Sequence, residues 1–366
     1  VVSKGKPTDK ECLEPVADVD LLKTGSTVLD LYISGRRAGG VPKGRYIWMV
    51  GDSTSGKTFL MLTCLAEASI NPVFDNYRFV YDKVEDGALM DIGKYFGPGM
   101  AKRLEAPATD SKGNGIYSEE IEDFYYYLDD ALTEAEGEGK PFIYLLDSMD
   151  ALGSKYSTKK FQEAKKAARK GGKAKGNYGD GKAKINSTHL RAVVPRLLAT
   201  GSILIILSQT RDNIDANPFE DKKTYSGGHA LKFYATVQLW SSVSSKIKRT
   251  VKGRELAVGV YCRVRVRKNR ITGKDRTVSI PIYYETGIDD IGGMIDFLIY
   301  WKFWSKNKAG FIDATADFDN IKKGREDLVT WIEENSLRDD LEDIVEGAWT
   351  EIEKRAVVKR RCKYGD

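Results

Sequence analysis

The chain has 366 residues, 41% of them hydrophobic, and a net charge of +5, enough to bury a sizeable core in about two domains, so disorder throughout is excluded. Its longest apolar runs, Ile203 to Leu207 and Phe142 to Leu146, fall far short of the roughly 20 residues of a membrane helix, and no membrane partner is expected. Cys12, Cys64, Cys262 and Cys362 are scattered without a CxxC pair and away from His189 and His229, which argues against a zinc site or disulfide scaffold and for reduced thiols.

The modest net charge conceals a concentration. Residues 155–184 hold eleven Lys or Arg against two acids, and residues 246–276 hold twelve against two. The rest of the chain is therefore acidic, and two basic segments on an acidic body point to a polyanionic partner.

In chain order, an apolar strand over Tyr46 to Val50 runs into Gly51 to Thr58, GDSTSGKT, and Phe59 to Ser69 continues as a helix. This is the strand, loop and helix of a phosphate-binding loop. Its glycines let backbone N–H groups wrap phosphates, and the helix points its positive end at them. Gly51, Asp52, Ser53, Thr54, Ser55 and Gly56 would cradle the triphosphate, Lys57 would reach its β- and γ-phosphates, and Thr58 would bind Mg2+. The expected ligand is a nucleoside triphosphate with Mg2+, which the family resemblance given below narrows to ATP.

Further strands are predicted at Arg78 to Asp82, Phe142 to Asp147, Ile203 to Gln209 and Thr236 to Trp240, with helix at Glu119 to Glu136. Such alternation predicts a parallel sheet covered on both faces. Asp147, at a strand's carboxyl end, is the candidate to orient the water shell of Mg2+. Hydrolysis needs a group to polarise water; Glu85 and Asp86 follow the strand near Phe79, and Glu85 is the choice. Gln209 is placed to sense the γ-phosphate through its amide.

Lys155 to Lys184 is rich in Lys, Gly and Ala and reads as a mobile loop, with transient helix around Phe161 to Lys170. VGVYCRVRVRK, beginning at Val258, alternates, setting Cys262, Val264 and Val266 against Arg263, Arg265 and Arg267. Beyond Gly287 the pattern turns helical, clearest at Met294 to Trp304 and Arg325 to Asn335, and the end is basic.

Taken together, several segments resemble the RecA family of DNA recombinases from about Leu22 to Asn335. The likeness is carried by KTGSTVLDLYISGRRAGGVPKGRYIWMVGDSTSGKT, FIYLLDSMDAL, LSQTRDNI, SGGHALKFYATVQLW from Ser226, RVRVRKNRITG, IYYETGIDDIGGMIDF and GREDLVTWIEEN from Gly324, all in the family's order. The resemblance implies an α/β fold: a RecA-like P-loop NTPase core with a twisted, mostly parallel sheet flanked by helices, and a small α+β C-terminal domain. The corresponding boundaries are an N-terminal segment over 1–22, the core over 23–286 and the C-terminal domain over 287–366.

It further implies a DNA-dependent ATPase that assembles on single-stranded DNA and promotes pairing and strand exchange with duplex DNA. Self-association into a filament or ring would bring Lys268 and Arg270 of one subunit to phosphates held by its neighbour. DNA-binding loops are implied at about 155–184 and 211–226, with Phe161, Tyr178 and Phe219 available to stack on bases. The implied location is the bacterial cytosol. His229 stands where the family usually has Asn, the water-polarising glutamate is shifted by one residue in DKVEDG, and Tyr95 has no assigned role. With its long basic first loop and basic tail, the chain is more like a phage-encoded recombinase than a housekeeping one. The competing readings are a RecA-fold hexameric helicase and an ATP-switched protein that coats single-stranded DNA.

Overall fold

The computed structural model describes residues 16–85, 90–169, 181–212, 223–225, 227–358 and 360. Asp86, Tyr178, Phe219, Cys12 and Cys362, together with most of the second expected DNA loop, lie outside these residues. Strands β1 (Leu21–Leu22) and β2 (Val41–Pro42) pair with each other and flank helix α1 (Thr27–Ser34). The central sheet begins with β3 (Tyr46–Gly51), followed by α2 (Lys57–Ile70), β4 (Arg78–Lys83), α3 (Ile92–Arg103) and β5 (Leu104–Glu105). A two-stranded excursion, β6 (Ala108–Thr109) and β7 (Gly115–Ile116), leads to α4 (Ile121–Glu138) and β8 (Phe142–Asp147).

Helices α5 (Lys155–Arg169) and α6 (Lys182–Thr200) precede β9 (Ile203–Asp212), β10 (Lys223–Tyr225) and α7 (His229–Tyr234). A long hairpin follows, β11 (Val237–Val251) and β12 (Arg254–Asn269), then β13 (Arg276–Tyr283) and β14 (Gly287–Ile288). Helices α8 (Asp290–Tyr300), α9 (Arg325–Glu334) and α10 (Arg338–Ala356) enclose a small sheet of β15 (Ser305–Lys306), β16 (Ile312–Asp313) and β17 (Lys322–Lys323).

The main sheet runs β14-β13-β12-β11-β3-β9-β8-β4-β5, with β10 added to β9. Its centre, β11-β3-β9-β8-β4, is parallel, and the β11–β14 flank is antiparallel. Period-two alternation divides the apolar strands between two cores. Ile47, Met49, Ile143, Leu145, Ile205 and Leu207 face α1, α2, α8 and α10. Trp48, Tyr144, Leu146, Leu204 and Ile206 face α4, α6 and α7. The runs predicted from sequence are thus buried strands, and Cys262, Val264 and Val266 are buried while Arg263 and Arg265 are exposed.

Two expectations change. Residues 155–169 are a regular helix with no buried residue, rather than a loop. Its Lys, Ala, Glu and Gln favour helix intrinsically, and its first turn is tied to α4, where the Thr158 hydroxyl donates to Glu120 Oε1 at 2.7 Å. The strand predicted to end at Trp240 continues to Val251, because pairing with β12 supplies the order that a polar, weakly alternating segment does not show by itself.

Arg325 joins α9 to α8: its side chain, only 15% exposed, pairs with Asp289 at 3.0 Å and Asp296 at 2.9 Å. Removing one partner strands the buried charges. Arg325→Met is expected to lower stability by about 3 kcal/mol, read as a reduced urea midpoint at unchanged slope.

Candidate nucleotide site

The parallel strands deliver the site. β3, β9 and β8 run side by side with Gly51 opposite Gln209 and Leu146 opposite Ile206, so the carboxyl ends of these strands form one rim. β4 joins it on the far side, with Lys83 opposite Asp147. Residues far apart in sequence therefore meet where the phosphate-binding loop begins.

The loop is tightly underpinned. Gly56 adopts φ 81° and Thr54 φ 62°, left-handed conformations that turn the backbone before α2. A Cβ at Gly51 would lie 2.1 Å from Ser241 Oγ, so only glycine fits against β11. The Ser55 and Ser241 hydroxyls share a hydrogen bond of 2.8 Å, and the Cys262 thiol donates to the Ser55 carbonyl at 2.9 Å. Neither Ser241 nor Cys262 had a sequence signal, since both act from neighbouring strands.

Lys57 is 8% exposed, and its ammonium donates to the carbonyls of Gly51 at 2.9 Å and Asp52 at 2.7 Å. Burial lowers its pKa, against the upward pull of Asp147 and Glu85. The Thr58 hydroxyl donates to Asp147 Oδ2 at 2.8 Å, with Tyr81 Oη at 3.4 Å from the same oxygen. Burial raises the Asp147 pKa, while the Thr58 bond and Lys57 oppose it.

Glu85 sits in this cluster. Its N–H donates to the Asp147 carbonyl at 2.9 Å, Gln209 Nε2 donates to its Oε1 at 2.7 Å, and the Ser148 hydroxyl bonds the same oxygen. The Gln209 N–H in turn donates to Asp150 Oδ2 at 2.7 Å. Asp52 turns outward to Thr210 and Lys223, and these bonds together lower its pKa against the opposing effect of desolvation. Ser148, Asp150, Thr210 and Lys223 gain a place here that spacing alone could not assign.

Lys268 and Arg270 are not brought to this loop. Lys268 lies opposite Gln238, three residues before Ser241 meets Gly51, so both cations sit towards the amino ends of the parallel strands. They hold the end of α7: Lys268 Nζ donates to the carbonyls of Lys232 at 2.6 Å and Phe233 at 2.8 Å, and Arg270 donates to Phe233 at 2.9 Å. Tyr95 packs against Phe59 with ring centroids 5.6 Å apart, and its hydroxyl donates to the Tyr284 carbonyl at 2.7 Å.

A triphosphate and Mg2+ fit these residues. The buried Lys57 ammonium donates its hydrogen bonds to two loop carbonyls, which a phosphate oxygen can replace, and Thr58 with Asp147 offers the hard oxygens Mg2+ takes alongside water and phosphate. Fold and site define the chain as a P-loop protein of RecA-like architecture.

Comparison with known proteins agrees. The RecA N-terminal domain model matches residues 165–289, beyond the phosphate-binding loop. Similarity to curated RecA proteins runs much further. The Chlorobaculum tepidum RecA is 28% identical over 92% of this chain and 86% of its own length. For the Rhodospirillum rubrum RecA the figures are 27%, 90% and 79%, and for that of Bifidobacterium breve 28%, 91% and 74%. The resemblance to the RecA family read from the motifs is thus borne out along most of the chain.

The Cys262 thiol, pushed up to about 12 by burial, stays protonated at neutral pH, and the thiolate is the reactive form. A maleimide is expected to spare Cys262 in the native protein and label it only after unfolding, as mass spectrometry of its peptide would show.

Proposed function

We propose that this chain is a RecA-type recombinase of DNA recombination and repair: an ATP hydrolase, stimulated by DNA, that self-associates on single-stranded DNA and pairs it with duplex. The observation that carries this reading is the Gln209–Glu85 hydrogen bond of 2.7 Å. It ties the strand leading to the second expected DNA-binding loop to the carboxylate beside the phosphate site. A helicase or a coating protein would share the P-loop, but the likeness to RecA proteins over about nine-tenths of the chain favours recombination.

In this reading the backbone of Gly51 to Gly56 and the Lys57 ammonium hold the triphosphate, and Thr58 and Asp147 hold Mg2+ through oxygen and water. The metal's role is to neutralise phosphate charge during transfer. Glu85 orients the attacking water and accepts its proton, its carboxylate held in place by the two hydrogen bonds on Oε1. When the γ-phosphate draws the Gln209 amide away, Glu85 loses a donor and β9 carries the change towards residues 213–222. Tyr95, packed on Phe59 in the first turn of the P-loop helix, supplies a surface for the base.

Lys268 and Arg270 serve a neighbour's phosphates, which their position away from the chain's own loop requires of any role in ATP chemistry. Residues 155–184 and 211–226 contact DNA phosphates, with Phe161, 65% exposed on α5, free to stack on a base. We assign 1–22 to a docking segment, 23–286 to the ATPase core and 287–366 to a C-terminal domain. The phage-like reading rests on the basic first loop and tail alone. Among the described residues no helix is long and apolar enough to cross a membrane.

Single-stranded DNA is expected to stimulate ATP turnover. Lys57→Ala should abolish it, and Glu85→Gln should reduce it by roughly 100-fold or more while nucleotide still binds. Strand exchange should follow the turnover; fork unwinding without pairing would transfer the chain to the helicase class.

Burial, with Arg270 and Lys232 nearby, lowers the Lys268 pKa to about 8. The ammonium is charged below that pH and loses its proton above it. ATP-dependent assembly, followed by light scattering, is therefore expected to weaken as pH rises past about 8, and Lys268→Arg should flatten that limb.

A further inference from the structure

The phosphate loop carries an acid where it must meet an anion. Asp52 follows Gly51 directly in GDSTSGKT, and a bare carboxylate there repels the charges of a triphosphate. The fold answers that charge from outside the loop. Lys223 Nζ donates to Asp52 Oδ2 and the Thr210 hydroxyl donates to Oδ1, so both oxygens are held by groups on β10 and β9.

The two donors are joined through the sheet. β10 pairs with β9 in antiparallel register, Lys223 opposite Asp212 and Tyr225 opposite Thr210. Tyr225 secures the other end of β10 by packing edge-on against Trp48 of β3, with ring centroids 4.5 Å apart. Asp212 and Lys223 are thus the described residues that bound 213–222. A displacement of either end is passed to Asp52 through Thr210 and Lys223. β9 therefore sends two ties to the site, Gln209 to Glu85 and Thr210 to Asp52.

Asp52 is also where an arriving phosphate is felt. Its carbonyl accepts from the Lys57 ammonium at 2.7 Å and from the Ser55 N–H at 3.2 Å. A phosphate oxygen that takes over Lys57 releases the first of these bonds. One residue is thus gripped through its main chain by the nucleotide-binding lysine and through its side chain by β9 and β10. As a stabilising contact the Asp52–Lys223 pair counts for little, since its side chains are 39% and 46% exposed. Its effect is on charge: with Lys223 in place the loop presents a neutralised acid to the triphosphate, and with Lys223 drawn away it presents a bare one.

We propose that Lys223 is a positioning residue, the counter-ion of Asp52, through which movement at the ends of 213–222 sets the affinity of the phosphate loop for nucleoside triphosphate. This tie is separate from the Gln209–Glu85 bond, which reaches the carboxylate that acts on water; one governs binding and the other turnover. The inference rests on the DNA-binding reading above, because DNA held by residues 211–226 is what moves those ends.

The test measures the affinity of the full chain for a fluorescent ATP analogue, with and without single-stranded DNA, beside kcat and KM for ATP. Lys223→Gln leaves Asp52 bare and is expected to weaken binding roughly tenfold, a loss that falls on KM rather than kcat. Lys223→Arg should keep the parent's affinity. Adding Asp52→Asn to Lys223→Gln should restore affinity without DNA to within about twofold, yet abolish the change in affinity that DNA produces in the parent. A double variant as weak as Lys223→Gln overturns the proposal by making Lys223 a direct phosphate ligand, and one that keeps the parent's response to DNA overturns it as well. If the parent binds no DNA, the function proposed above falls too, whereas a parent that binds DNA without any change in nucleotide affinity sinks this tie alone.

Discussion

A buried ammonium is the constraint on which the rest of this structure depends. Lys57 is almost excluded from water and satisfied by two carbonyls of its own loop. Its cost is bearable only because Asp147 and Glu85 pull in the opposite direction. Those carboxylates must be delivered by β8 and the end of β4, and the loop must be supported from β11 and β12. A parallel sheet covered on both faces does this, since its strands all end on one rim.

That geometry accounts for communication across the rim. Asp147 ends β8, Glu85 lies just past β4 and Gln209 is on β9, yet each is within one hydrogen bond of the next. Asp52 extends the same set of contacts to Thr210 and Lys223 on β9 and β10. A change at the phosphates therefore has short physical routes to the segment between those strands. Lys268 and Arg270 lie towards the other rim, so in the proposed function they would reach phosphates only through assembly, and self-association and chemistry would be parts of one device.

Much of this was legible in the sequence. Glycine, lysine and threonine at fixed spacing identify a phosphate loop because backbone wrapping tolerates few alternatives, and apolar runs of five or six residues between helices identify buried strands. Alternation in VYCRVRV gave the cationic face of β12 correctly, because period two is a property of the strand itself. The helix over 155–169 escaped because nothing in it is buried: a stretch without an apolar stripe carries no periodic signal, however favourable its propensities.

The sequence by itself determined the local chemistry: which loop is shaped for phosphates, which strands are buried and where positive charge accumulates, since each depends on residues adjacent in the chain. Only the tertiary structure decided the partners of those residues. It put Glu85 against Gln209 across 124 positions, set Ser241 and Cys262 beneath the loop, turned Lys268 and Arg270 away from it, and extended β11 and β12 beyond the rim of the sheet. Each of these follows from strand order and register, which arise from the packing of the whole sheet and leave no mark at any single position.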